Sequence, residues 1–457
     1  MSWQALQIAG SALAAYQTAL DVTAQNIANA QTPGYARRRV LLSAQANDNG
    51  VIAQTPWRGS RGVLADRVER MRDEAAGRQL QRELAHSGRG QALADMLGRA
   101  EAVFSDLQGT GLSSQLGDLF RAFSRLGADS ESLPTRRQVL QVASTLTDTL
   151  HEQYANLSQV QREADTEVQA TVEQVNRLTA EVASYNARIA QLSPEGQADT
   201  LLDVRDQALE QLAELVGAEA VPQEGGMVDV IVQGRRLVTG TRASSLSLET
   251  NPPTGFPQPV FADGSGLAAP QGKLGGLLAA RDQSVPRYLA ALDDLADNLR
   301  DRLNVLHQTG VGLDGSTSLD FFVGSSGATG LAVNPALLAA PQKLGASATG
   351  ARGDGARALD LAALGDAPTM SGGLESFAQF YAGLVAGAGS DSAAAQEQRD
   401  ASDTMVAAVR TQQQSVEGVS LDEEAVNLIR YQQAYAAAAR VVQTTREMMQ
   451  TLLEMGQ

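Results

Sequence analysis

The sequence predicts a mainly α-helical protein with a smaller β-rich insertion, whose two ends meet as paired coiled-coil helices. Three observations predict it. Leu6, Leu13, Leu20 and Ile27 are spaced by sevens near the start, and Ala9, Tyr16, Thr23 and Ala30 follow each by three. Leu421, Leu428, Tyr435, Val442 and Met449 repeat the spacing near the end, with Tyr431, Ala438, Thr445 and Leu452 three beyond the middle and late members. Between these seams, the helical stretches enclose a proline-rich insertion, where six of the 14 prolines fall between Pro222 and Pro270. Two like seams at opposite ends, with helical segments just inside both, describe a chain that goes out and comes back.

The first helix runs to residue 31 and stops at Gln31-Thr32-Pro33-Gly34. Proline biases the residue before it away from helical angles, and glycine suits the turn. The first 36 residues hold one charged side chain, Asp21. A helix docked on a core carries a charged outer face; this one is built for packing on several sides. Residues 35–64 read as a short β segment, extended over Tyr35–Ser43, turning at Asn47-Asp48-Asn49-Gly50, and broken by Pro56 and Gly59. Residues 65–217 read as nearly all helix. The strongest part spans 134–191, where Val168, Val175, Val182 and Ile189 keep a seven-residue spacing until Ser193-Pro194-Glu195-Gly196. Leu201–Val216 is a further helix closed by Gly217. Residues 218–275 form an outer β domain, with a hairpin of 227–232 and 236–238 around Gln233-Gly234-Arg235 and a strand at 245–249. Helix returns over 276–308. Residues 310–373 hold 13 of the 43 glycines and read as loops, short strands and helical pieces. Helix resumes near Leu374, breaks near Gly418 and ends with Leu421–Leu453. The predicted units are therefore 1–34, a helical middle domain of 35–217 with 276–417, the insertion 218–275, and 418–457.

Composition narrows the function. With 36 Lys and Arg against 52 Asp and Glu, the net charge is −16, which opposes binding to a nucleic-acid backbone or to anionic lipid. No run reaches the ~18 continuous apolar residues of a membrane span. The N-terminus has no basic start or long apolar core, so it is not a cleaved signal peptide. Cysteine is absent, which removes disulfides, zinc thiolates and cysteine nucleophiles. No catalytic constellation emerges, and no enzyme, cofactor or metal site is expected. His86, His151 and His307 lie far apart in sequence among polar residues and read as solvent-facing. Gly324-Ser-Ser-Gly327-Ala-Thr-Gly330 has the wrong spacing for a dinucleotide fingerprint. Asp422-Glu423-Glu424 reads as negative charge complementing a helix N-terminus. Arg352-Gly353-Asp354 matches an adhesion tripeptide, in a Gly/Ala-rich loop.

Two segments resemble a known family. Asn26-Ile27-Ala28-Asn29-Ala30-Gln31-Thr32-Pro33-Gly34-Tyr35 is similar to the N-terminal signature of bacterial flagellar rod, hook and hook-associated proteins. Leu421 through Tyr431-Gln432-Gln433-Ala434-Tyr435 to Leu453 resembles their C-terminal signature. The Tyr431–Tyr435 run, the stretch from Gly272 to His307, Asp320-Phe321-Phe322 and Val333-Asn334-Pro335 resemble the FlgK-type branch. The resemblance implies a secreted, extracellular structural protein at the hook–filament junction, exported through the flagellar type III route and acting by packing without turnover. Implied partners are the hook protein, a second hook-associated protein on the filament side, copies of itself in a helical array, and an export chaperone on the C-terminal helix. The implied assembly residues are Leu6, Leu13, Leu20, Asn26, Ile27, Asn29, Pro33, Gly34 and Tyr35 with Leu421, Leu428, Tyr431, Gln432, Tyr435, Val442, Met449 and Leu452. Pro33, Gly34 and Tyr35 would set the exit angle from the inner helix. A rod or hook subunit is the near alternative, disfavoured by the long helix at 134–216; a flagellum-associated hydrolase or an adhesin is the distant one.

Overall fold

The structure, a computed structural model, describes residues 2–44, 62–105, 111–192, 198–250, 255–268 and 270–455, leaving aside the side chains of residues 2–4 and Leu452. The turn at 47–50, Pro56, Gly59, the stop at 193–196 and the Leu452 side chain therefore lie outside the described residues.

Helix α1 (Ser2–Asn29) ends as the pattern predicts, and Gly34 takes a left-handed φ of 76° in the exit turn. Strands β1 (Arg38–Ala44) and β2 (Val63–Arg70) pair antiparallel with Val40 opposite Val68, so residues 65–70 are strand where the sequence suggests helix. The charged string Asp66-Arg67-Val68-Glu69-Arg70 is compatible with either period. The decision falls to tertiary contact, because Val40, Ala65 and Val68 cluster with Ala19 and Val22 of α1 and with Tyr431. This hairpin thus packs with the terminal helices, not with the helical middle to which the sequence assigns it.

Helix α2 (Glu74–Phe104) is capped by the Asp73 carboxylate, which accepts from the Ala75 and Ala76 amides. It is followed by α3 (Leu112–Ala128) and by α4 (Leu133–Leu192), a 60-residue helix about 90 Å long at 1.5 Å per residue. Helix α5 (Asp199–Val216) ends at Gly217, whose φ of 68° and amide bond to the Ala213 carbonyl make the expected left-handed C-terminal cap.

The insertion follows. Strands β3 (Glu219–Pro222), β4 (Val228–Val232), β5 (Arg235–Thr239) and β6 (Arg242–Ala243) form one antiparallel sheet in that order. Gln233 and Gly234 both have positive φ in a two-residue turn, one residue shorter than the sequence suggests, since Arg235 already belongs to β5. Strands β7 (Ser247–Thr250) and β8 (Pro257–Val260) pair separately. Val230, Val232, Leu237, Val238, Leu246 and Phe261 join the same apolar core as Val172, Val175 and Val182 of α4. The β insertion therefore shares the core of the helical body.

Helix resumes at Gly272 as α6 (Gly272–Ala279), four residues earlier than predicted. A π-turn over Ala280–Ser284 leads into α7 (Val285–His307) and carries the fully buried Arg281, which is bonded to Asp165, Asp282 and the Pro257 carbonyl. The glycine-rich region holds the two-residue strands β9 (Phe322–Val323) and β10 (Ala332–Val333) and the short helices α8 (Pro335–Ala339) and α9 (Ala356–Ala363). Helix α10 (Phe377–Glu417) opens with a capping box between Ser376 and Gln379, and α11 (Leu421–Met455) follows the break at Gly418.

Candidate assembly interface at the paired terminal helices

The chain does return on itself: α1 and α11 lie side by side, with the Tyr16 and Tyr431 rings 6.4 Å apart. The buried line runs not along the leucines of the predicted seams but along residues three beyond them: Ala9, Thr23, Ala438 and Thr445. Also buried are Ala15, Ala19, Val22 and Asn26 on α1, of which Ala19 and Val22 cluster with Val40 of the hairpin, and Glu424 on α11. Leu6, Leu13, Leu20, Leu428, Tyr431, Val442 and Met449 are half-buried flanks of that line. Ile27, Leu421, Gln432 and Tyr435 are exposed. The reason is steric. Small side chains allow close approach of two backbones, and larger ones are displaced to the sides of the contact. The seven-residue spacing picks out both rows and does not say that the small one is the more deeply buried.

Beneath this contact sits a polar clasp made of signature residues. The Asn26 carboxamide uses all four of its hydrogen-bonding positions, while 1% of the residue is exposed. Its oxygen accepts from the Tyr35 hydroxyl at 2.8 Å and the Arg38 amide at 3.0 Å. Its nitrogen donates to the Arg38 carbonyl at 2.8 Å and to Glu424 at 3.1 Å. Asn26 thus meets the start of β1 as a neighbouring strand would, and ties it to α11. Glu424 also accepts from Arg37 Nε at 2.8 Å, and Glu423 from Arg37 Nη1 at 2.8 Å. The Arg38 guanidinium lies over the Tyr35 ring. Burial pushes the Tyr35 hydroxyl above its usual pKa, which keeps it a donor. Asn29 bonds back to the Gln25 carbonyl, while Pro33 and Gly34 lie exposed in the exit turn, where the Pro33 carbonyl accepts from Gln207 of α5.

The acidic run at 422–424 therefore does more than complement a helix dipole, because two of its three members grip Arg37. Sequence reasoning also missed Arg37, Arg38 and Glu424 as partners; the one signal was their position beside the two signatures.

The other candidate groups are engaged inside the fold. His307 is buried, against expectation. Its Nδ1 lies 2.6 Å from the Leu319 carbonyl, and its Nε2 accepts the Gly345 amide at 2.9 Å. Burial holds its pKa below the usual value. The amides of the Gly324–Gly330 loop that could face a phosphate are taken by carboxylates: Gly327 N donates to Asp297 and Ala328 N to Asp293. In the 352–354 tripeptide, Asp354 accepts from the amides of Ala348, Thr349 and Ala356 and from the Ser347 and Thr349 hydroxyls. Those bonds hold its carboxyl well below the usual range. No group of three or more His, Cys, Asp or Glu among the described residues is arranged to hold a metal ion. No described helix is long and apolar enough to cross a membrane.

The exposed surface of the terminal pair carries large apolar side chains among its polar ones. Ile8 and Ile27 on α1 and Leu421, Val426, Ile429, Val441, Met448, Leu453 and Met455 on α11 stand in solvent. Scattered exposed aliphatics need no explanation, but concentration of this kind on one helix pair marks an interaction surface.

Comparison with known proteins agrees with this geometry. Residues 6–35 match the flagella basal body rod protein family and residues 412–455 the C-terminal family of the flagellar basal body rod FlgEFG proteins. Residues 97–322 match the helical domain of flagellar hook-associated protein FlgK. Flagellar hook-associated protein 1 of Bacillus subtilis is 28% identical, over 99% of this chain and 98% of its own length. Its Escherichia coli counterpart is 26% identical, over 97% and 98%. The hook junction protein FlgK of Burkholderia pseudomallei superposes with a TM-score of 0.64 at 17% identity, covering 74% of this chain and all of that one, a likeness of fold. Paired terminal helices bearing the rod signatures define a flagellar axial protein. With the intervening helical domain, the chain belongs to the FlgK-type hook-associated protein family.

Proposed function

We propose that this chain is a structural subunit that joins hook to filament at the hook–filament junction of the bacterial flagellum, outside the cell. It works by self-assembly into a helical array, with α1 and α11 forming the inner layer and the helical body the outer one. The observation that carries this reading is the exposed apolar surface of the terminal pair, beside an α1 with a single charged residue. Each large apolar side chain left wet there forgoes roughly 1.5–3 kcal/mol of burial, which neighbouring subunits would recover. The hook protein would contact one end of the array, a second hook-associated protein the other, and an export chaperone would cover α11 before assembly. Pro33, Gly34 and Tyr35 would fix where the chain leaves the inner layer. The helical body matched over residues 97–322 favours this role over that of a rod or hook subunit.

The test is Val441→Asp, on the exposed face of α11. A carboxylate buried between subunits costs several kcal/mol unless paired or protonated, whereas in the free chain it faces water. The variant should be exported and melt at nearly the wild-type temperature. Cells carrying it should bear hooks without filaments and shed flagellin into the medium. Gln17→Ala should leave filaments intact. Normal filaments with Val441→Asp would refute the inner-layer role of α11.

A further inference from the structure

The apolar core stops where the terminal arm meets the body. Ala19, Val22 and Val40 form one cluster, with Ala65, Val68 and Tyr431 packed on it. Leu80, Leu84, Val406 and Val409 form a second, and the large body core a third. Among the described residues none of these clusters spans the joint. What crosses is polar. The Arg37 amide donates to the Glu417 carbonyl at 2.9 Å, and the Met71 amide, where the hairpin leads into the body, to the Arg37 carbonyl at 2.8 Å.

The rest is charge. Asp199, Asp203 and Asp206 lie at i, i+4 and i+7 on one face of α5. Three guanidiniums from the arm and its exit strand sit on that face. Arg38 lies 3.4 Å from Asp203 and 3.6 Å from Asp199. Arg70 lies 2.7 Å from Asp203 and 2.8 Å from Asp206, and Arg72 lies 2.5 Å from Asp206. The set is only partly satisfied in this orientation: Arg38 Nε, buried, makes no hydrogen bond and meets Asp199 only as an ion pair at 3.6 Å. Beside it opens a cleft of about 960 Å³, walled by the exit turn at 30–35 on one side and by Leu80, Glu210 and Gln414 of the body on the other.

We propose that this joint is a hinge closed by an electrostatic latch: Arg38, Arg70 and Arg72 on the Asp199–Asp203–Asp206 face of α5 hold one arm orientation, and the cleft gives the arm room for a second. The physical reason is the difference between the two kinds of contact. An interdigitated apolar core resists partial sliding, whereas long arginines can exchange carboxylates spaced one turn apart without losing every partner. A subunit packed between two different neighbours gains from such freedom, because its arm and body can each keep their own packing. The hinge does not rest on the junction reading, and the filament assay above can fail without affecting it.

The chain has no native cysteine, so Gln433→Cys on α11 and Gln174→Cys on α4, both exposed, can be spin-labelled selectively. Dipolar distances between them should show one main population in the full-length protein. Asp203→Asn/Asp206→Asn should enlarge a second population by about tenfold, within the range by which such couplings shift two-state equilibria, while the melting temperature of the body stays the same. Glu397→Gln, an exposed charge on α10, should change nothing. An unaltered distribution in the double variant would overturn the latch. So would a wild-type distribution already as broad as the variant's. A lower body melting temperature in the double variant would overturn the independence of the two parts.

Discussion

Replacing Asn26 with alanine removes the centre of the clasp. It strips partners from the Tyr35 hydroxyl, from both the amide and the carbonyl of Arg38, and from Glu424. A buried polar group left without a partner costs about 1–3 kcal/mol, more when charged. Tyr35 is half-buried and can turn to water, and Glu424 keeps Arg37. Arg38 has no such recourse for its backbone, and its carbonyl and amide anchor the first residue of β1. The expected loss is therefore about 3–4 kcal/mol, set mainly by the two backbone groups and in part by Glu424. At 1.4 kcal/mol per factor of ten, protection of the α1 and α11 amides against hydrogen exchange should fall by about two to three orders of magnitude. The body has separate apolar clusters, so α4 and α7 should keep their protection. Asn26→Asp, of nearly the same volume, should be at least as damaging at neutral pH, since it sets a carboxylate against Glu424 and the Arg38 carbonyl. Unchanged protection on α1 and α11 in Asn26→Ala would refute the clasp. Equal loss throughout the body would refute the separation of arm and body.

Two further outcomes follow from single residues. His307 is neutral in the fold, because its Nε2 accepts the Gly345 amide and burial lowers its pKa. Its contribution is full above the unfolded value near 6.5 and is lost as pH falls from there through the lower folded value; the melting temperature should drop in that window, and His307→Gln should flatten the dependence. Gly34→Ala places a side chain at a φ of 76° and drives its Cβ into the Gln207 amide that bonds the Pro33 carbonyl. It should cost about 1–2 kcal/mol, read as faster exchange at residues 30–38 with no change in α4.

The lengths and limits of the elements were legible in the sequence because their causes are local. Gly217 ends α5 since glycine alone takes the left-handed cap without strain. Gly234 helps turn β4 into β5 for the same reason, and the sevenfold valines of α4 announce a helix buried along one side. The return of the chain on itself was legible too, because two uninterrupted seams need each other. Tertiary structure alone decided which face of each terminal helix is covered. Seven-residue spacing gives both the leucine row and the row of Ala9, Thr23, Ala438 and Thr445, while close packing decided that the second is the more deeply buried. It also decided that residues 65–70 are strand, since that string fits both periods until Val68 finds Val40 and α1. The polar joint was beyond any local reading. Asn26 and Glu424 are 398 residues apart in sequence, and Arg70 and Asp203 are 133 apart. An arginine or aspartate on its own reads as a solvated charge; only closure of the chain brings these within hydrogen-bond reach and removes the water that would otherwise separate them.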